Sequence, residues 1–267
     1  MKRVAAARLR RAQGRVAAGR PYAEKLAEVL QRVGAHAGQI DHPLLVVREP
    51  KCAAVVVIGS DRGLCGSYNS GLIRHAQGFI AELDRPVKLV TVNRKTTEFF
   101  RRRPQYEVLK SFVGLSDQSS AIEISVLSGY LRDIYEAEQV DEVYVCYTQF
   151  VSAVVQRPKT ARFLPFSRNG SEDEGADASR SEYIFEPNAA DLLRAIIPAY
   201  VDTEVYHLVM ESAASEYGAR MMAMTNATEN ATEMIRDLTL TFNKARQAGI
   251  TTELLEVVAG ADALTEG

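Results

Sequence analysis

A chain of 267 residues with 46% apolar and 25% charged side chains and a net charge of −2 can bury at least one full core, and carries no bulk charge that would favour nucleic acid or a membrane surface as partner. No stretch approaches about eighteen consecutive apolar residues, which excludes a transmembrane helix. The three cysteines, Cys52, Cys65 and Cys146, are odd in number and lack histidine neighbours, so neither a disulfide framework nor a metal site is expected.

The charge is unevenly placed. Lys2, Arg3, Arg8, Arg10, Arg11, Arg15 and Arg20 fall within the first twenty residues, which contain no acid. An Arg- and Ala-rich start is also the composition of an organellar presequence. Against that, Ala5, Leu9, Ala12, Val16, Gly19, Ala23, Leu26, Leu30, Val33, Ala37 and Ile40 recur in alternating steps of four and three, a heptad seam that a cleaved leader has no reason to keep. Pro21 lies inside the seam and removes one backbone donor, which predicts a kink without a break. Residues 1–41 are therefore expected to form an N-terminal coiled-coil helix.

Residues 42–187 read as an α/β domain. Strands are expected at “AAVVVIG” from 53, “VKLVTV” from 87, “YEVLKSF” from 106 and “EVYVCYTQF” from 142, with helices over about 70–83, 95–103 and 119–138. Alternation of strand and helix implies right-handed crossovers and a Rossmann-like, mostly parallel sheet. The polar run “SRNGSEDEGADASRS” at 167–181 reads as an exposed loop.

“GSDRGLCGSYN” at 59–69 follows the first strand, where a dinucleotide fold holds pyrophosphate. Its glycines, Gly59, Gly63 and Gly66, are spaced G-x3-G-x2-G and not G-x-G-x-x-G, and no G-K-[ST] follows. A tight turn whose glycines permit positive φ, with Asp61, Arg62 and Leu64 directed outward as contacts, explains the spacing without a cofactor. His36, His42, His75 and His207 are scattered and supply no acid–base pair, so no catalytic residue is expected.

Residues 188–267 form the third part. Met210, Ala214, Tyr217, Met221, Met224, Thr228, Ala231, Ile235, Leu238, Phe242 and Ala245 make a second seam, and no proline occurs from Ala199 to Glu266. A helix of roughly 65 residues would be about 100 Å long, wider than a compact domain of this size. The two seams are expected to pair as a long antiparallel coiled coil, with Ala, Gly and Thr allowing close approach. Ile40 would then lie near the start of the second helix and Met1 opposite roughly residue 240, leaving Phe242 to Leu264 unpaired.

Several segments carry a resemblance along the whole chain: “VAAARLRRAQ”, “GRPYAE”, “SDRGLCGSYN”, “QFVSAVVQRP” and “ASEYGARMMAMTNATENATEMIRDLTLTFNKARQAGITTELLEVVAGADAL”. In that order they resemble the gamma subunits of F-type rotary ATP synthases. The resemblance implies a central-stalk subunit without a catalytic site or cofactor, its coil inside the hexamer of alpha and beta subunits and its α/β domain holding epsilon and resting on the membrane c-ring. Ser60, Asp61, Arg62, Gly63, Leu64, Cys65 and Gly66 match the family segment that faces the acidic lever of beta, although Cys65 also fits a small filler in a turn. Arg246, Gln247, Thr251 and Glu253 match positions that touch the beta catch region, and Arg220 matches an arginine lower on the shaft. The basic start is placed by the same family opposite the beta lever.

Two departures qualify the match. Family members usually begin about twenty residues before the position of Met1, so a start upstream or a single-stranded tip is expected. The polar loop lacks the cysteine pair of plastid relatives, which argues against thiol regulation; without a presequence, the cytoplasmic face of a bacterial membrane is the expected location. A nucleotide-dependent enzyme and a generic coiled-coil adaptor remain as alternatives on the residues alone.

Overall fold

The computed structural model describes residues 1–36, 42–166 and 189–265. The polar loop at 167–181 and the seam positions Ala37 and Ile40 lie outside the described residues. Two compact units are present, Met1–Met222 and Ala223–Gly267.

In the first unit, helix α1 (Lys2–His36) leads through a short 3-10 turn at Pro43–Leu45 into β1 (Ala53–Ile58), α2 (Tyr68–Glu82), β2 (Val87–Val92), α3 (Arg94–Arg101) and β3 (Glu107–Phe112). Then come α4 (Ala121–Glu136), β4 (Glu142–Phe150), β5 (Gln156–Leu164) and α5 (Ala189–Thr265). The sheet order is β3-β2-β1-β4-β5. The first four strands are parallel and β5 returns antiparallel to β4. This is the doubly wound arrangement expected of alternating strands and helices, with its reversal of strand order between β1 and β4.

β1 is buried along its whole length because both faces of the sheet are covered, so its sequence is continuously apolar and not alternating. Val55, Val57, Leu89 and Cys146 pack with Leu72, Ile73, Ala76 and Phe100 of α2 and α3. On the other face Ala54, Val56, Ile58, Val143 and Val145 meet Ile124, Leu127 and Leu131 of α4, and Ile197, Val201 and Val205 of α5. α4 starts on a capping box, in which the Ser120 hydroxyl accepts from the Glu123 amide and the Glu123 carboxylate accepts from the Ser120 amide.

β5 is the element that sequence periodicity misses. “QRPKTARFL” carries three cations and Pro158, which suits an edge strand with one side turned to water and hides the strand signal. It is recruited by the hairpin with β4, Cys146 pairing with Thr160 and Phe150 with Gln156.

Burial along α1 follows the seam: Ala5, Leu9 and Ala12 are buried, and Val16, Gly19, Ala23, Leu26 and Leu30 are half-buried, while the helix runs through Pro21. Leu9 and Ala12 pack against Ala213, Ala214 and Tyr217 of α5. The two helices run antiparallel, since Arg15 and Tyr22 farther along α1 line the same cavity as Thr203 and His207. This contact corrects the expected register. With Met1 opposite roughly residue 240, Leu9 would lie well beyond Met221; it packs instead against Ala213, Ala214 and Tyr217, because α5 begins at Ala189 and accommodates Pro198 inside the helix, so the pairing starts earlier along it.

In the second unit the helix is continuous, and every described side chain from Asn226 to Ala261 except Asn243 is exposed. The outer half of the seam, including Ile235, Leu238 and Phe242, is exposed here.

Candidate functional site

The loop after β1 is built on a close approach. A β-carbon on Gly59 would stand 2.5 Å from the Thr96 methyl, so only glycine lets the chain leave β1 at this point. Ser60 is fully buried, its amide donating to Asn69 Oδ1 at 3.2 Å and its hydroxyl to the Arg62 carbonyl at 2.9 Å. Cys65 is also buried, with Asn69 Nδ2 donating to its sulfur at 3.2 Å, and burial pushes its thiol up from the ordinary range. The filler reading of Cys65 therefore describes its surroundings. Asp61 accepts from the Arg94 amide at 3.0 Å, at the first turn of α3. Arg62, Gly63, Leu64 and Gly66 face solvent. Positive φ is taken by Leu64 (61°) and Gly66 (57°), but not by Gly63.

Asn93 ties this loop to its neighbours. Its amide nitrogen donates to the Gly59 carbonyl at 3.0 Å and the Leu115 carbonyl at 2.8 Å, while its Oδ1 accepts from the Leu115 amide at 3.0 Å. The exits of β1, β2 and β3 are thus joined by one buried side chain.

The crevice at the carboxyl ends of β1 and β4, where doubly wound folds bind ligands, is filled by residues 211–220 of α5. Tyr68 donates to the Ser212 carbonyl at 3.1 Å, and Ser215 donates to the Thr148 carbonyl at 2.8 Å. The Phe150 amide donates to the Glu211 carboxylate at 3.3 Å. A β-carbon on Gly218 would lie 3.2 Å from Gln156 Nε2 and 3.4 Å from the Phe150 ring, so the helix lies directly on the β4–β5 hairpin. Tyr217 donates to the fully buried Asp117 at 2.6 Å, and the Arg8 guanidinium lies 5.8 Å from the centre of its ring. The start of α2, the β3–α4 loop, the β4–β5 hairpin and α1 therefore hold one short stretch of α5. Tyr217 and Met221 were legible as seam positions, whereas Asp117, Glu211 and Glu216 carried no motif.

Arg220 closes this assembly. Its Nη2 donates to the carbonyls of Arg62 at 3.1 Å and Gly63 at 3.2 Å, and also meets the Glu216 carboxylate at 2.6 Å. Burial pushes the Glu216 carboxyl up, with the Arg220 guanidinium opposing that shift. The sequence-predicted residues separate into two sets: Ser60 to Gly66 and Arg220 come together, while Arg246, Gln247, Thr251 and Glu253 belong to the second unit and are exposed. Among those four, Arg246 and Glu253 share one helical stripe, and Gln247 with Thr251 shares the next, the Thr251 hydroxyl donating to the Gln247 carbonyl at 2.9 Å. The β4–β5 turn adds exposed Val151, Val154 and Val155 at the same edge of the sheet, a patch given no site role from the sequence.

Among the described residues no cluster of His, Cys, Asp or Glu is placed to hold a metal, and no helix is long and apolar enough to cross a membrane.

A family model described as ATP synthase matches residues 1–264. The ATP synthase gamma chain of Pelotomaculum thermopropionicum is 45% identical over 264 residues, covering 99% of this chain and 92% of the relative. That of Moorella thermoacetica is 47% identical over 264 residues with the same coverage. Among solved structures, the fold matches a chain of the central stalk and c-ring of Tetrahymena thermophila mitochondrial ATP synthase with a TM-score of 0.62 at 23% identity, over 85% of this chain and 97% of that one. A chain of the OSCP/F1/c-ring assembly of Euglena gracilis mitochondrial ATP synthase matches with a TM-score of 0.60 at 17% identity, over 96% and 94%. On the whole-length match, the chain belongs to the ATP synthase gamma-chain family.

Proposed function

We propose that this chain is the rotor subunit of a rotary ATP synthase, coupling ion flow through a membrane c-ring to ATP synthesis or hydrolysis in beta subunits, with no catalytic site of its own. The observation that carries this reading is whole-length kinship at 45 to 47% identity with gamma chains. The geometry supports it in a mechanical sense. The ligand crevice of the α/β fold is occupied by α5, held through Tyr68, Thr148, Phe150 and Asp117, so that the head grips a helix where related folds grip a cofactor.

In this reading the exposed helix beyond Asn226 runs inside the hexamer of alpha and beta subunits, with Arg246, Gln247, Thr251 and Glu253 touching the beta catch region. The loop Ser60, Asp61, Arg62, Gly63, Leu64, Cys65 and Gly66 faces the acidic lever of beta. The α/β head holds epsilon and rests on the c-ring, which attaches the chain peripherally to the cytoplasmic face of the membrane. Turning the shaft then biases each beta site among discrete conformations, a rigid-body form of coupling.

Reconstitution tests this. Purified chain added to alpha and beta subunits is expected to enter at one copy per three of each, and an actin filament fixed to its head should rotate when ATP is supplied. Coupled ATP synthesis by particles assembled without the chain would overturn the proposal.

A further inference from the structure

The family resemblance counts Arg220 among the residues expected to touch a partner, and its side chain is 13% exposed. What it touches is its own chain. The planar guanidinium donates through Nη2 to the carbonyls of Arg62 at 3.1 Å and Gly63 at 3.2 Å, through Nε to Gly63 at 3.3 Å, and pairs with Glu216 at 2.6 Å. The Arg62 carbonyl also accepts from the Ser60 hydroxyl at 2.9 Å. The residue that follows these tied carbonyls is Leu64, which has φ of 61° and is 65% exposed. A leucine is seldom held in the left-handed region, and it persists there only when surrounding contacts determine the backbone on both sides.

We infer that Arg220 is a positioning residue: anchored by Glu216, it ties the Arg62 and Gly63 carbonyls so that Leu64 stands out of the loop as the side chain offered to the partner. The inference rests on the reading of this loop as a contact with beta. A lysine cannot reproduce the tie, because a point charge on a flexible stem lacks the fixed fork of donors that meets two carbonyls and a carboxylate together.

Two measurements separate the parts of this idea. In the full-length chain, Arg220→Gln is expected to speed amide exchange at Gly63 to Gly66 and tryptic cleavage after Arg62 by about tenfold or more, the range of a lost charge-assisted bond. Arg220→Lys should fall between, and Glu216→Gln should loosen the same amides by less. Exchange in β1 and the melting temperature serve as controls of folding. Unchanged exchange at the loop in Arg220→Gln, or protection lost evenly over the head, overturns the inference. In the reconstituted complex, Arg220→Gln should lower ATP-driven proton pumping, and should add nothing further once Leu64 is replaced by alanine. Additive losses in the double variant also overturn it. If Leu64→Ala alone leaves pumping intact while loop exchange responds to Arg220→Gln, the reading of the loop as a beta contact fails and the positioning role stands.

Discussion

Thr96 shows how little room some single residues leave. Its hydroxyl donates to the carbonyls of Val92 at 2.6 Å and Asn93 at 3.0 Å, which fixes its methyl directly over Gly59. Because the methyl cannot rotate away without breaking those bonds, Gly59→Ala is expected to destabilise the chain by about 1–3 kcal/mol, read from the urea midpoint. Buried acids give a second prediction at this scale. Burial pushes Glu204 and Glu211 above their ordinary value of 4.5; the His207 charge opposes the shift in both, as do the Tyr200 hydroxyl bond to Glu204, and the Phe150 amide and Lys159 charge at Glu211. A carboxyl whose folded value is raised contributes stability that is complete below the unfolded value and lost as pH rises through the folded one. Wild-type stability should therefore fall from pH 4.5 toward neutrality, and Glu204→Gln with Glu211→Gln should flatten that fall in urea titrations. An equal slope in the double variant would refute the assignment.

At the scale of elements, the contact between α5 and the β4–β5 hairpin is as close as side chains permit. Gln156 Nε2 is held by the carbonyls of Ser152 at 3.1 Å and Ala153 at 2.9 Å, so it has no freedom to yield to a side chain at position 218. Gly218→Val is expected to cost about 2–3 kcal/mol by overpacking and to raise exchange in β5 first, as the hairpin parts from the helix. Equal exchange in β5 of both proteins would sink the claim. The same elements show how legibility varied. α1 was readable because burial on one helical face repeats every three to four residues from Ala5 to Leu30, whereas α5 from Ser212 to Gly218 is buried on more than its seam face, so the seam showed only part of its packing. β1 to β4 were readable as apolar runs. β5 was not, because its pairing is imposed by the hairpin while its own residues alternate between cations and half-buried positions.

For the whole molecule, charge placement leads to a prediction that the structure sharpens. Arg8 is half-buried beside Tyr217, so reversing it would disturb the packing of α1 on α5. Arg10 and Arg11 are exposed and make a cleaner test. If the basic helix serves electrostatic complementarity with the acidic lever of beta, Arg10→Glu with Arg11→Glu should weaken coupling of hydrolysis to pumping, most strongly at low ionic strength. An unaltered ATP-driven proton gradient in the reconstituted variant would refute it.

Some of this chain was decided locally. Periodicity set the helices and the parallel sheet, and glycine spacing argued against a phosphate loop, because these depend on residues a few positions apart. The register of α1 against α5 and the conversion of a ligand crevice into a grip on residues 211–220 depend on groups far apart along the chain, such as Leu9 with Ala213, Phe150 with Glu211 and Arg62 with Arg220. Local sequence carries no trace of such pairs, since neither partner is chosen until the sheet has brought the loops after β1, β3 and β4 to the same edge. Only tertiary structure could therefore show that Arg220 bonds the Arg62 and Gly63 carbonyls of the loop after β1.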